Sequence, residues 1–167
     1  MTNDLFALDG KVALVTGGAT GIGRMIAEGY VHAGVRTYIA SRKLDACVAT
    51  AEELAEFGTC IALEANLATS DGAAALVAQL AERESALHIL VNNAGATWGA
   101  PLADTDEAAW ERVLSLNVKG VFHLTREATP LLAAGAAAGD PSRVINVGSI
   151  DGLRVPAMET YAYSASK

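Results

Sequence analysis

Five short apolar runs, each followed by glycine or polar residues and separated by stretches of helical periodicity, constrain this chain more than any other feature. The first, Val12-Ala13-Leu14-Val15 within residues 11–16, stops at Gly17-Gly18. A run that short and that uniformly apolar fits a strand buried on both faces. Residues 35–40, 59–65, 87–91 and 143–147 repeat the pattern. Between them Ile22, Met25, Ile26, Gly29, Tyr30 and Ala33 trace a helical stripe that Gly34 closes. Leu44, Cys47, Val48, Ala51 and Leu54 trace a second, ending near Gly58. Ala73, Leu76, Val77 and Leu80 trace a third, with Ser70 or Asp71 as N-cap. A longer helix is predicted to open near Asp104 or Thr105, with Trp110, Val113, Leu114, Val121, Leu124 and Ala128 on its apolar face. Pro130 is expected to kink it, and residues 133–140 to form a frayed end and turn. Strands alternating with helices at this spacing call for βαβ crossovers and an α/β fold. Its core is a doubly wound parallel sheet with helices on both faces, in one domain spanning residues 1–167.

Composition narrows the partners. With 12 Lys and Arg against 19 Asp and Glu, the net charge is −7. That charge disfavours nucleic acid and anionic membranes. No apolar run is long enough to span a bilayer, and residues 1–10 lack the basic-then-apolar pattern of a signal peptide. Cys47 and Cys60 have no CxxC spacing, and His32, His88 and His123 are scattered. Reduced thiols in a cytoplasmic protein without a metal site are the expectation.

The turn after the first run, Thr16-Gly17-Gly18-Ala19-Thr20-Gly21-Ile22-Gly23, points to a phosphate ligand. Glycines let backbone N–H groups approach a diphosphate, and the helix start beyond them adds unpaired donors and a positive dipole end. The spacing is G-x-x-x-G-x-G, unlike the common dinucleotide fingerprint. A nucleoside-triphosphate loop would need Lys-Ser/Thr where Arg24-Met25 stands. At the end of the second run, an acidic residue would select a ribose 2′-hydroxyl. The chain has Ser41-Arg42-Lys43 there, which suits a 2′-phosphate, so NADP(H) is favoured over NAD(H).

The other chemistry-bearing stretch is the tail. Val144-Ile145-Asn146-Val147 leads to Gly148-Ser149, and fourteen positions later comes Tyr163-Ser164-Ala165-Ser166-Lys167. On a helix Tyr163 and Lys167 share a face. A neighbouring ammonium favours the phenolate, which would make Tyr163 a usable acid and base near neutral pH. A solvated Tyr–Lys pair would look the same in isolation. Asn117 falls on the apolar stripe of the long helix, where a buried amide needs hydrogen-bond partners. Local irregularity there could free backbone groups and hold a water.

Together these residues resemble the short-chain dehydrogenase/reductase family. The matching features are Thr16-Gly17-x-x-x-Gly21-x-Gly23, Asn92-Asn93-Ala94-Gly95, Asn117, Ser149 and Tyr163-x-x-x-Lys167. Trp98-Gly99 and Tyr161-Ala162-Tyr163 are similar to NADPH-dependent ketone and 3-oxoacyl reductases, including the rhamnolipid-associated type. The resemblance implies hydride transfer from NADPH to a carbonyl, giving a secondary alcohol. It implies Tyr163 as acid/base, Lys167 as holder of the nicotinamide ribose, Ser149 as hydrogen-bond partner of the substrate carbonyl, and Asn117 as anchor of a relay water. It also implies a cofactor-binding set of Gly17, Thr20, Gly21, Ile22, Gly23, Ser41, Arg42, Asn66, Leu67, Asn93, Ala94, Gly95, Tyr163 and Lys167. A homodimer or homotetramer is implied as well. A non-catalytic dinucleotide sensor or scaffold is the alternative, disfavoured because all four catalytic-type residues are present.

Asn66 stands where the family usually has an Asp that accepts from the adenine amino group, so weaker but surviving cofactor binding is expected. Family members continue well past the position of Lys167. Residues 1–167 are therefore expected to be the front part of a longer enzyme, with an open edge at the fifth strand and neither cooperative melting nor NADPH oxidation of their own. Trp98, Ile150, Leu153, Val155, Met158 and Tyr161 are expected to border an apolar substrate pocket. Residues 133–142 carry no Lys or Arg, which favours a free ketone or CoA ester over a carrier-bound acyl group.

Overall fold

A computed structural model describes residues 7–167; most of the N-terminal stretch read above for a leader lies outside them. Five parallel strands run β1 (Val12–Thr16), β2 (Arg36–Ser41), β3 (Cys60–Glu64), β4 (Ile89–Asn92) and β5 (Arg143–Asn146), in the spatial order β3-β2-β1-β4-β5. Alternation along β1 divides the core. Leu14, with Tyr38 and Leu90 beside it, packs against α3 (Ser70–Ala81) and α5 (Val121–Gly135) through Leu76, Leu80, Leu124 and Ala128. Ala13 and Val15 face the opposite way, toward α1 (Gly21–His32) and α2 (Leu44–Leu54), meeting Ala27, Val31, Cys47 and Leu54. A strand covered on both sides reads as a near-continuous apolar run; all five residues of β1 are buried, and its one polar member, Thr16, is hydrogen-bonded.

Because the chain leaves β1 toward β2 on one side and later enters β4 on the other, a crevice opens between the carboxyl ends of β1 and β4. This is where ligands bind in sheets of this kind. The expected doubly wound sheet is thus present, and strand bounds differ from the sequence reading by one or two residues.

Two local expectations need correction. The N-cap of α3 is Thr69, whose side chain accepts from Gly72 N at 3.1 Å, not Ser70 or Asp71. The long helix opens later than predicted: a 3-10 turn at Leu102–Asp104 comes first, and α4 (Glu107–Leu114) starts after Asp106, whose carboxylate accepts from Ala109 N at 2.9 Å. Helical structure also runs through Pro130 to Gly135, and the departure from α geometry comes earlier, in a π-helical segment at Ser115–Gly120. The remaining helix is α6 (Tyr161–Ser166). Beyond α5, Ala137 and Asp140 pair across a tight turn in which Gly139 takes φ +81°.

β5 is exposed along its whole length, with Val144 and Ile145 each at 41%. The chain therefore shows the uncovered fifth strand that the sequence led one to expect.

Asp106 supplies a cap that alanine cannot. In the intact protein Asp106→Ala is expected to lose about 1 kcal/mol of stability by denaturant unfolding, and Asp106→Asn to lose little.

Candidate active site

The crevice is built first by a hydroxyl. Thr16, buried at the end of β1, donates from Oγ1 to the Val91 carbonyl at 3.1 Å and accepts from the N–H groups of Asn93 and Ala94 at 3.0 Å each. Asn93 Nδ2 returns a bond to the Thr16 carbonyl at 2.9 Å. The turns after β1 and β4 are thereby clasped together. Gly17 sits inside the clasp with φ +65°, and a Cβ there would lie 2.9 Å from Asn93 Nδ2 and 3.2 Å from Ala94 Cα. Gly23 packs directly on the Gly17 carbonyl, so a side chain at 23 would push the turn and α1 apart.

Thr20 is the N-cap of α1 but makes no side-chain cap hydrogen bond, and no acidic residue lies in the first turn. The positive end of α1 therefore faces the crevice without an internal counter-charge, an arrangement that fits a diphosphate. A cleft of about 600 Å³ extends from this turn, walled by Gly17, Thr20, Ser41, Arg42, Asn66, Leu67, Ala94 and Gly95. Among the described residues Arg42 takes part in no ion pair, which leaves its guanidinium available to an anion. These features fit a phosphorylated dinucleotide.

Gly21, Ile22, Gly23, Asn93, Tyr163 and Lys167, also predicted to touch the cofactor, do not line this cleft. Gly23 and Asn93 shape it from behind, and Ile22 is 61% exposed. Ala19, Lys43, Thr97, Arg112 and Leu116 line it without having been singled out for this role. For Thr97, Arg112 and Leu116 the sequence signal was faint: they come near only because the loop after β4 folds back over the long helix.

Asn117 joins that loop to α6. Its Oδ1 accepts from Ala96 N at 2.8 Å, and its Nδ2 donates to the Ala96 carbonyl at 2.9 Å and to Ser166 Oγ at 2.8 Å. Ser166 in turn donates to the Tyr163 carbonyl at 2.8 Å. The amide is 7% exposed and well satisfied, and it lies in the π-helical segment, so the predicted irregularity is there. Such widened turns shift backbone pairing from four residues to five.

Tyr163 lies on α6 and Lys167 caps its C-terminal end, with the Lys167 ammonium 6.0 Å from the centre of the Tyr163 ring. The ammonium donates to the Val147 carbonyl at 2.7 Å, just past the end of β5. Burial holds Lys167 below the ordinary lysine range. A Cβ at Gly95 would approach Asn117 Oδ1 to 3.4 Å and Lys167 Nζ to 3.7 Å, so Gly95, Asn117 and Lys167 converge on one point. Ser149 caps the 3-10 turn Ile150–Gly152, accepting from Asp151 N at 3.2 Å. With its acceptor side so used, its O–H remains free to donate elsewhere.

Beside α6 lies a larger cavity of about 860 Å³, walled by Leu153, Val155, Met158 and Tyr161 as expected, and also by Leu102, Trp110 and Ser164. Trp98 and Ile150 do not border it. Trp98 instead stacks beneath Arg112, whose guanidinium carbon is 5.1 Å from the ring centre. Among the described residues no helix is long and apolar enough to cross a membrane, and no group of three potential metal ligands occurs.

A family model described as short chain dehydrogenase matches residues 11–167. The chain is 46% identical over 162 residues to a rhamnolipids biosynthesis 3-oxoacyl-[acyl-carrier-protein] reductase of Pseudomonas aeruginosa, covering 97% of this chain and 63% of that protein. A solved RhlG/NADP active-site complex from the same organism superposes with a TM-score of 0.93 at 45% identity, over 96% of this chain and 63% of that one. A short-chain dehydrogenase/reductase from Burkholderia phymatum in complex with NAD gives a TM-score of 0.88 at 30% identity, over 97% and 57%. The chain thus spans somewhat under two thirds of the length of these relatives.

Asn117→Ala removes three hydrogen bonds and leaves the Ala96 N–H and carbonyl without their side-chain partner. Loss of about 1–3 kcal/mol of stability is expected for the intact protein, measured by thermal or denaturant unfolding.

Proposed function

The chain belongs to the short-chain dehydrogenase family, and on that premise we propose that the intact protein is an NADP(H)-dependent reductase of ketone or 3-oxoacyl carbonyls. The observation that carries this reading is that one cleft, lined by Gly17, Arg42 and Ala96, meets the Asn117 amide, which hydrogen-bonds Ala96 and Ser166 beside Tyr163 and Lys167.

Gly17, Thr20 and the start of α1 would hold the diphosphate, and Ser41 and Arg42 the 2′-phosphate, with Asn66, Leu67, Ala94 and Gly95 along the adenosine side. When bound, NADPH supplies the hydride. Reduction of a carbonyl builds negative charge on its oxygen, which requires a donor and a proton. The free O–H of Ser149 is suited to donate to that oxygen, and the Tyr163 phenol to protonate it. The Lys167 cation, fixed by the Val147 carbonyl, lies on the Tyr163 side of the site. Its remaining N–H donors are available to the nicotinamide ribose. Because the Asn117 amide already serves Ala96 and Ser166, the relay water is assigned to backbone oxygen of the widened turn around Asn117.

The apolar walls of the larger cavity support a substrate with a substantial hydrocarbon part. The absence of basic residues in 133–142 supports a free ketone or CoA ester over a carrier-bound group. The alternative of a non-catalytic sensor draws nothing from the named relatives, which are reductases or dehydrogenases. Val118 and Phe122, four residues apart and exposed at 46% and 61%, support assembly into a homodimer or homotetramer. Cytoplasmic location is part of the same proposal.

Tyr163→Phe in the intact enzyme is expected to cut kcat by about 10²-fold or more while leaving the Kd for NADPH within about threefold, by steady-state turnover and fluorescence titration. Unchanged turnover would remove Tyr163 from the proposed role. Arg42→Ala is expected to weaken NADPH about tenfold and to leave NADH binding nearly unaltered. Equal losses for both cofactors would argue against a 2′-phosphate contact.

A further inference from the structure

Cations in this chain are distributed unevenly. Arg24, Arg36, Arg83, Arg126 and Arg143 each lie within ion-pair distance of a carboxylate, as do Lys11 and Lys119. Among the described residues, the cations without such a partner include Arg42, Lys43 and Arg112, and all three line the cofactor cleft. No Asp or Glu lines it. The larger cavity is different, for Asp151 and Glu159 stand on its wall beside Arg154.

Arg42 and Lys43 follow β2, whereas Arg112 comes from the last turn of α4, with Leu116 one turn further along the same wall. Nothing in the proposed binding mode assigns Arg112 a contact. Its neighbour Glu111 is engaged by Ser115 and by Lys119 at 2.9 Å, so that carboxylate is already committed. What holds the guanidinium instead is the Trp98 ring, whose centre is 5.1 Å from its carbon. An aromatic face fixes a cation but carries no net charge, so the positive charge of Arg112 stays uncompensated and exposed where it lines the cleft.

The chain as a whole carries a charge of −7. A dinucleotide, itself multiply negative, is repelled by that net charge and drawn in only where cations are left uncompensated. We propose that Arg112 is a steering residue: its charge, together with those of Arg42 and Lys43, speeds capture of the anionic cofactor without bonding to it in the bound state. The diphosphate and the 2′-phosphate already have their places at the Gly17 turn and at Arg42, so Arg112 acts on the charge of the ligand at a distance. Attraction of this kind raises the association rate, fades as salt screens it and leaves dissociation nearly unaltered. The inference rests on the reading that the cleft takes an anionic dinucleotide, and not on the choice of NADPH over NADH.

The test is stopped-flow binding of NADPH to the full-length protein, followed by dihydronicotinamide fluorescence, for the wild type, Arg112→Lys, Arg112→Gln and Arg112→Glu. At about 10 mM ionic strength, where charges are felt over about 30 Å, Arg112→Gln is expected to lower kon about fivefold and Arg112→Glu about 25-fold, with koff within about twofold of wild type. At about 1 M the screening length falls to about 3 Å, and the variants are expected to converge. Arg112→Lys keeps the charge but loses the planar stack on Trp98, and is expected to bind at nearly the wild-type rate. A role confined to holding Trp98 and its loop would spare none of the three variants and would survive salt, so that pattern overturns the proposal. So does an unchanged kon in Arg112→Glu at low salt, or a loss that falls chiefly on koff, the sign of a direct contact. NADH, without the 2′-phosphate charge, is expected to show a smaller effect in the same direction. If Arg42→Ala fails to separate the two cofactors while the Arg112 series still grades with charge, the 2′-phosphate reading falls and this one stands. A folded protein that captures neither dinucleotide ends both.

Discussion

A single buried hydroxyl holds the two halves of the crevice in register. Parallel strands send their helices to opposite faces at the switch between β1 and β4, and the backbone groups at the strand ends there lose their ladder partners. Thr16 Oγ1 supplies those partners on three sides, to Val91, Asn93 and Ala94. The part of the cleft wall between β1 and β4 stands on this clasp: the Gly17 turn is pressed against Asn93, and Ala94 and Gly95 follow directly from it. Asn93 lies behind the wall, and its amide braces the Thr16 carbonyl from the other side.

A second tie joins other parts of the chain. Asn117 belongs to the long helix, Ala96 to the loop after β4 and Ser166 to α6, three segments far apart in sequence that share one side-chain amide. The widened turn at Ser115–Gly120 lets the amide sit there while the flanking turns keep Val113 and Leu124 in the core. Lys167 is held in the same neighbourhood through the Val147 carbonyl, so the tip of β5 and the end of α6 are joined by a charge-assisted bond.

The parts of the fold legible in the sequence are those whose signal repeats. Short, uniformly apolar runs marked the five strands, and a 3.6-residue period marked α1, α2, α3 and the long helix that became α4 and α5; the two-sided burial of β1 was visible in Val12–Val15 because every position there is apolar. Asn117 stood out because an amide on an apolar stripe is anomalous. Single-residue competitions were not legible. Thr69, Ser70 and Asp71 are all good caps, and only the path of the chain selects Thr69. Pro130 lies inside α5, which packs on the sheet on either side of it through Ala128 and Leu132. Trp98 read as a pocket residue because it is large and apolar; a guanidinium one helix away claims its face instead. That pairing depends on how a loop folds over α4, which no local pattern records.

The strand order has a kinetic meaning. β1 is central, but its second neighbour, β4, lies more than seventy residues further along the chain, as the Ala13–Ile89 pairing shows. During synthesis β1, β2 and β3 can zip together through nearby crossovers while one flank of β1 stays bare. Closure of that flank waits for the chain as far as Asn92 to emerge, and the Thr16 clasp cannot form before then. The nucleotide-facing crevice is therefore a late product of folding, assembled from a strand made early and one made much later.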